Sequence, residues 1–137
     1  MKNEKYLYSE LTSKILEAFY QVFNKVGFGF EKSVYQKSLV KALKNLEVKN
    51  EMNKEVSIYF SGDEVGKIKI DIFVDNKVLV KVTNHDEIEN RDAEILQNEL
   101  RMSEIEVGLL LNFGRTPEQN LSRIHFGKRR VNLTDNS

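Results

Sequence analysis

The stretch KIKIDIFVDNKVLVKVT, residues 67–83, decides the fold. On both sides of Asp75-Asn76, hydrophobic side chains recur at every second position, which is the period of a β-strand. Asp and Asn favour tight turns, so the stretch predicts two antiparallel strands joined as a hairpin. The same alternation at 56–60, followed by a turn at 61–64, predicts a three-strand meander with one apolar face.

Other periodicities surround this meander. Hydrophobic residues at three- and four-residue steps predict helices, and apolar or alternating runs predict strands. The first helix is expected to have Ser9 as its N-cap and to end at Gly27. The predicted elements outside the meander are helices over 11–26, 34–46 and 87–102, and strands over 107–113, 122–126 and 129–133. This order predicts an α/β fold, a mixed sheet flanked by helices.

Length and composition limit the function classes. A chain of 137 residues with 40% hydrophobic residues predicts one domain over 1–137, with a loose C-terminal end at about 134–137. The 21 basic and 21 acidic residues cancel, which excludes nucleic-acid binding through a uniformly basic surface. The absence of Cys excludes disulfides and thiolate metal sites. No apolar run is long enough for a membrane span and the start lacks a signal-peptide pattern, so we expect a cytoplasmic protein without membrane contact.

Asp71 is the most informative single residue, because Asp is unfavourable in the middle of a strand. It is either a metal-binding or catalytic carboxylate, or half of a cross-strand pair with Lys81. The residues Asn84–Glu87 are of types that bind metal ions, but the favoured interpretation is that they cap the third helix. Weaker candidates for phosphate contacts are the basic residues Lys69, Arg123, Lys128, Arg129 and Arg130.

Two further stretches carry a resemblance to a known family. Residues 27–36, GFGFEKSVYQ, and residues 107–114, VGLLLNFG, resemble the GxxExxY group of the PD-(D/E)xK nuclease superfamily. The resemblance covers about residues 9–126. It implies a restriction-endonuclease-like core, in which carboxylates hold a divalent metal, typically Mg²⁺, and a Lys assists hydrolysis of a phosphodiester.

The resemblance also implies a degenerate active site. When the sequence is aligned on Gly29 and Tyr35, Lys32 stands where the family has Glu. Lys81 and Thr83 stand where the family has the Glu and the Lys of its Glu-x-Lys motif, and Ile95 stands where it has Gln. The family's strand Asp is retained, so the nuclease motif is lost at four of five positions. The vestigial site implied in this way consists of Lys32, Asp71, Lys81, Thr83 and Ile95.

These substitutions favour a catalytically inactive, nuclease-like domain that acts by binding. Lys32 and Lys81 would surround Asp71 with positive charge and form a salt-bridged cluster without a metal, so no cofactor is expected. A protein partner or self-association is favoured, and a nucleic-acid partner remains open as a non-cleaving alternative. The other alternative is an active Mg²⁺-dependent nuclease whose carboxylates have migrated, for example to Glu31, Asp86, Glu87 or Glu94.

Overall fold

A computed structural model describes residues 8–115 and the backbone of 123–126. Within these ranges the chain forms three helices and five strands. They are α1 (Ser9–Val26), α2 (Lys32–Asn45), β1 (Asn50–Phe60), β2 (Asp63–Val74), β3 (Val78–Thr83), α3 (Asn90–Ser103), β4 (Val107–Asn112) and β5 (Arg123–Phe126).

This order confirms the predicted α/β fold, with small differences at the helix ends. The helix α1 already includes Ser9, and Tyr8 precedes it as the N-cap residue, so the predicted cap is wrong by one position. The predicted strand at 129–133 and the predicted loose end at 134–137 lie outside the described residues. Among the residues that the structure describes, no helix combines the length and the apolar character of a membrane span.

The strands form one mixed sheet in the order β1-β2-β3-β4-β5. The first three strands are an antiparallel meander, as the alternation predicts. β3 and β4 run parallel, and α3 supplies the crossover that a parallel pair requires. β5 closes the described sheet in antiparallel pairing with β4.

Helices cover both faces of this sheet, which corrects the prediction of a meander with one apolar face. On one face, α1 and α2 pack on the even-numbered side chains of β3, such as Val80. On the other face, Leu96 and Leu100 of α3 pack with Leu79. The helix α3 lies so close to β4 that a Cβ atom on Gly108 would come within 3.1 Å of both of these α3 leucines. The α3 crossover accounts for the second buried face.

β2 changes its buried face at Asp71. Ile70 packs on the α3 side of the sheet, whereas Ile72 packs on the side of α1 and α2. The β2–β3 pairing ends at Ile72 and Val80, and the Oδ2 atom of Asp71 accepts a hydrogen bond from the backbone N–H of Val82 at 2.8 Å. A side-chain bond thus takes the place of a backbone bond between the strands, so the uninterrupted alternation predicted for β2 is wrong at this point.

Candidate functional site

Lys32 and Asp71 form the centre of the candidate site. The Nζ atom of Lys32 lies 2.9 Å from Oδ1 of Asp71, while Oδ2 receives the N–H of Val82. The side chain of Asp71 is 12% exposed and that of Lys32 is 46% exposed, so the carboxylate is mostly enclosed and the cation is half in solvent. Both carboxylate oxygens therefore have a donor.

The loop before α2 sets the position of Lys32, the first residue of that helix. The buried Tyr35 donates its hydroxyl hydrogen to the carbonyl of Gly27 at 2.6 Å and accepts from the N–H of Phe30 at 3.1 Å. Gly27 and Gly29 have φ angles of 79° and 110°, a region that favours glycine. These contacts fix the entry of α2 and hence the place where its first side chain meets the sheet.

Lys81 and Glu99 extend the site toward α3. Their charged atoms lie 4.0 Å apart, and their side chains are 20% and 22% exposed. Burial raises the pKa of Glu99 above its ordinary value of 4.5, Lys81 lowers that pKa, and the negative charge of Asp71 raises it. The pKa of Glu99 therefore depends on the charges of both Lys81 and Asp71. We call Lys32, Asp71, Lys81 and Glu99 the ion-pair cluster, which is formally neutral with two cations and two carboxylates.

Gln36 supports this cluster from α2. Its Nε2 atom donates to the backbone carbonyl of Asp71 and to Oδ1 of Asn53, both at 2.9 Å. Gln36 is buried, and Asn53 has a φ of 59°. The backbone of Asp71 is thus fixed from the helix, while its side chain is fixed from the neighbouring strand and by Lys32.

The structure brings together three of the five predicted site residues. Lys32 pairs directly with Asp71, whereas Lys81 pairs with Glu99. Thr83 lies in a separate, buried contact, because its hydroxyl donates to Oδ1 of Asn112 at 2.7 Å. The fifth, Ile95, is half-buried on α3.

Gln36 and Glu99 are the site residues that the sequence reasoning missed. Gln36 lies four residues after Lys32, and residues at that spacing share one face of a helix. Glu99 lies four residues after Ile95 in the same way. Helical spacing from the two predicted helix positions was the signal that could have found both.

Several of the remaining acidic and basic candidates are exposed or have other partners, and others fall outside the described side chains. Asp86 lies 3.5 Å from Arg115, and Glu31 and Glu94 are exposed. Lys69 is exposed on β2 opposite Glu55. The side chains of Arg123, Lys128, Arg129 and Arg130 fall outside the described residues, so their role in phosphate contacts stays a prediction.

The stretch Asn84–Glu87 does not cap α3, which corrects the favoured interpretation of that stretch. The helix begins at Asn90, and Glu89 is its N-cap residue. Asn84 instead donates to the carbonyl of Phe30 at 2.9 Å. The stretch is a connection between β3 and α3. The cap was predicted at the wrong place because several residues before Asn90 are acidic or carry amides, and each of them suits a cap by type.

A comparison with protein-family models finds one match, to the PD-(D/E)XK nuclease superfamily, over residues 9–124. Comparisons with curated proteins and with solved structures return no significant match. The matched range contains every residue of the ion-pair cluster and all the described elements up to the first residues of β5. The chain therefore belongs to the PD-(D/E)XK nuclease superfamily.

Proposed function

We propose that this chain is a non-cleaving member of the superfamily, of the GxxExxY group, that acts in the cytoplasm by binding a protein partner or a second copy of itself. The observation that carries this proposal is the 2.9 Å contact between Lys32 and Asp71. It gives the one retained family carboxylate a cation from the protein itself.

The chemistry of Mg²⁺ supports the loss of cleavage. Mg²⁺ dehydrates reluctantly and is bound through carboxylate oxygens that are open to it. In this site, one oxygen of Asp71 faces the Lys32 ammonium and the other accepts the Val82 N–H. A metal ion would have to displace Lys32 and would then meet Lys81 on the adjacent strand. A cation that already pairs with the carboxylate, and a second cation on the adjacent strand, oppose the binding of a metal ion there.

The end of the β1–β2 hairpin supports a protein partner. Tyr59, Phe60 and Val65 are 56%, 69% and 58% exposed there. Exposed hydrophobic groups that lie together mark interaction sites more often than isolated ones do. β1 is also the first strand of the sheet order, so one side of its backbone has no strand beside it within the described sheet.

Cleavage assays test the non-cleaving part of the proposal. The purified chain and Asp71→Ala are incubated with Mg²⁺ or Mn²⁺ and with single- and double-stranded DNA and RNA. We expect no difference between the two proteins. Cleavage by the parent chain that Asp71→Ala abolishes would contradict the proposal.

Light scattering and a salt-dependent binding assay test the partner. We expect the chain to self-associate, and Phe60→Ser to weaken that association more than Phe30→Ser, a matched change at an aromatic residue that is 50% exposed away from the hairpin. A monomeric chain would overturn self-association. Binding to duplex DNA that weakens steeply with salt would overturn the protein partner in favour of a nucleic-acid partner.

A second candidate function is an active metal-dependent nuclease, and the position of Glu99 favours it. Its carboxylate is close enough to Asp71 for the negative charge of Asp71 to raise its pKa. Asp71 and Glu99 would then hold Mg²⁺, which supplies charge neutralisation at a phosphate and an activated water. The same cleavage assay with Glu99→Gln tests this candidate, which predicts cleavage in the parent chain alone.

A further inference from the structure

His85 lies between two carboxylates at the start of α3. Its Nε2 atom is 2.8 Å from Oδ2 of Asp92, and its Nδ1 atom is 3.6 Å from Oε2 of Glu89. Each of the three side chains offers one ligand atom, and these atoms all lie within 4.8 Å of one another. We call these three residues the His85 triad. The triad shares no residue with the ion-pair cluster.

Neither of the two carboxylates caps the N-terminus of α3 with a hydrogen bond. Glu89 is the N-cap residue of α3 and Asp92 lies in its first turn, positions at which acidic side chains often accept backbone N–H groups. No side-chain hydrogen bond caps this end of α3. Both carboxylates approach the imidazole of His85 instead.

One oxygen of the triad is buried and lacks an aligned donor. The Oδ2 atom of Asp92 is closed to solvent, and within the described residues it accepts no hydrogen bond. This oxygen lies 2.8 Å from Nε2 of His85, a contact between possible ion-pair partners and not a hydrogen bond. A buried carboxylate oxygen that accepts no hydrogen bond requires an explanation, and a bound ion is one of the standard explanations.

The backbone of His85 is held rigidly. Asn112, which is fully buried at the end of β4, accepts the N–H of His85 at 2.9 Å and donates to its carbonyl at 3.0 Å. Asn112 is itself fixed by the hydroxyl of Thr83. These bonds fix the backbone from which the imidazole extends, and a fixed support for each ligand is a requirement of a metal site.

We propose that the His85 triad binds a divalent transition-metal cation, with Zn²⁺ as the best match. One imidazole nitrogen and two carboxylate oxygens form a donor set that Zn²⁺ accepts in tetrahedral geometry, with water as the fourth ligand. With a neutral imidazole the triad carries a formal charge of −2, which a divalent cation balances. The imidazole favours Zn²⁺ over Mg²⁺, which prefers oxygen ligands alone.

The donor atoms, which lie up to 4.8 Å apart, must come closer together to share one cation. Donor atoms around a tetrahedral Zn²⁺ lie about 3.3 Å apart, because each bond is about 2.0–2.2 Å long. The side chain of Glu89 is 52% exposed and free of cap bonds, so its carboxylate can rotate toward the other two donors. His85 is 39% exposed, which leaves a solvent-facing position for the water ligand. A bound cation would join the β3–α3 connection to the first turn of α3.

Calorimetric titration of the chelator-treated full chain with Zn²⁺ tests this proposal. We expect one Zn²⁺ per chain, weaker binding by about tenfold or more in both His85→Ala and Asp92→Asn, and much weaker binding of Mg²⁺. The matched control is His125→Ala, which removes the other histidine and is expected to retain the parent affinity. Circular dichroism establishes that each variant is folded.

Co²⁺ provides a second readout, because four-coordinate Co²⁺ absorbs visible light strongly when it replaces Zn²⁺. We expect this absorption in the parent chain and its loss in His85→Ala. The proposal is overturned if the folded parent chain binds no Zn²⁺, if His85→Ala binds as tightly as the parent, or if His125→Ala abolishes binding. In the first case the triad is a set of contacts between His85 and two carboxylates that holds no metal ion.

Discussion

The Nζ atom of Lys32 lies 2.9 Å from Oδ1 of Asp71, so the first residue of α2 neutralises a carboxylate in the second strand of the sheet. In a nuclease of this superfamily, carboxylates at the sheet hold a metal ion that activates water. Here the Lys32 side chain of the protein supplies positive charge at Asp71. The contact explains how an enclosed Asp is tolerated in the middle of a strand.

Removal of this cation is expected to destabilise the fold. Lys32→Ala leaves Asp71, whose side chain is 12% exposed, with one hydrogen bond and without its direct ion-pair partner. We expect a loss of about 1–2 kcal/mol in the free energy of unfolding, below the cost for a fully buried pair because Lys32 is half exposed. The matched control Lys37→Ala, at an exposed lysine of the same helix, should change it by less than about 0.5 kcal/mol. Equal effects of the two variants in urea denaturation would contradict the ion pair.

The pKa of Glu99 predicts a specific pH dependence. Because burial raises this pKa above 4.5, the folded chain binds more protons at Glu99 than the unfolded chain between pH 4.5 and the raised value. The contribution of Glu99 to stability therefore falls as pH rises through this window. Glu99→Gln mimics the protonated form, so its stability relative to the parent chain should rise with pH from 4.5 upward and then level off. Urea denaturation across the window measures this difference, and a difference independent of pH would show that burial does not dominate at Glu99.

Lys81→Glu is expected to be destabilising. It places a third carboxylate beside Glu99, which is 4.0 Å from Lys81, and on the strand next to Asp71. Like charges in an enclosed site cannot all ionise without cost. Added Mg²⁺ should recover part of the lost thermal stability, because it neutralises the new group of carboxylates. A Lys81→Glu protein as stable as the parent and indifferent to Mg²⁺ would show that position 81 is not part of the site.

The full set of family residues gives a related expectation. Lys32→Glu, Lys81→Glu, Thr83→Lys and Ile95→Gln together should create divalent-cation binding at Asp71, detectable by calorimetry in a His85→Ala background. That background removes the metal site proposed at the His85 triad. No gain in binding would show that the four positions do not converge.

Asn112, the last residue of β4, is expected to be the polar residue on which the anchoring of the β3–α3 connection depends most. Asn112→Ala leaves the Thr83 hydroxyl and both backbone groups of His85 without their partner in a buried place. We expect a loss of about 2–4 kcal/mol, and about 1 kcal/mol for Thr83→Val, which removes only one of these bonds. Thermal denaturation of both variants measures the ratio of their two losses of stability. Similar losses of stability in the two variants would contradict the anchoring role of Asn112.

The order of elements could be predicted from the sequence because each element carries its own hydrophobic period. The hairpin around Asp75-Asn76 shows this well, since both of its strands form where the alternation predicts them. Their pairing runs from Val74 and Val78 to Ile72 and Val80 and ends one residue before Asp71 and Lys81. The change of face at Asp71 could not be predicted, because it depends on one side-chain bond to Val82 that leaves no trace in the alternation. The second buried face of the meander follows from the α3 crossover, which the alternation in the meander strands does not reveal.

The candidate site could be predicted only in part, because some of its contacts depend on how helices pack on the sheet. Asp71 was identified because Asp is unfavourable in the middle of a strand, and Lys32 was identified through the family alignment, which relates distant positions. Glu99 was missed because its contact with Lys81 depends on how α3 packs on β3, and Gly108 sets that close approach. His85 was placed in a predicted cap because acidic and amide residues near a helix start fit a cap by type, whatever their side chains contact.

The most direct test of the central claim is a comparison of nucleic-acid cleavage by the parent chain and by Asp71→Ala, in Mg²⁺ and in Mn²⁺, with the two proteins purified in parallel. If the Lys32–Asp71 pair replaces the metal, neither protein cleaves single- or double-stranded DNA or RNA beyond a mock preparation. Divalent-dependent cleavage by the parent chain that disappears in Asp71→Ala would contradict the account and establish Asp71 as a working metal ligand.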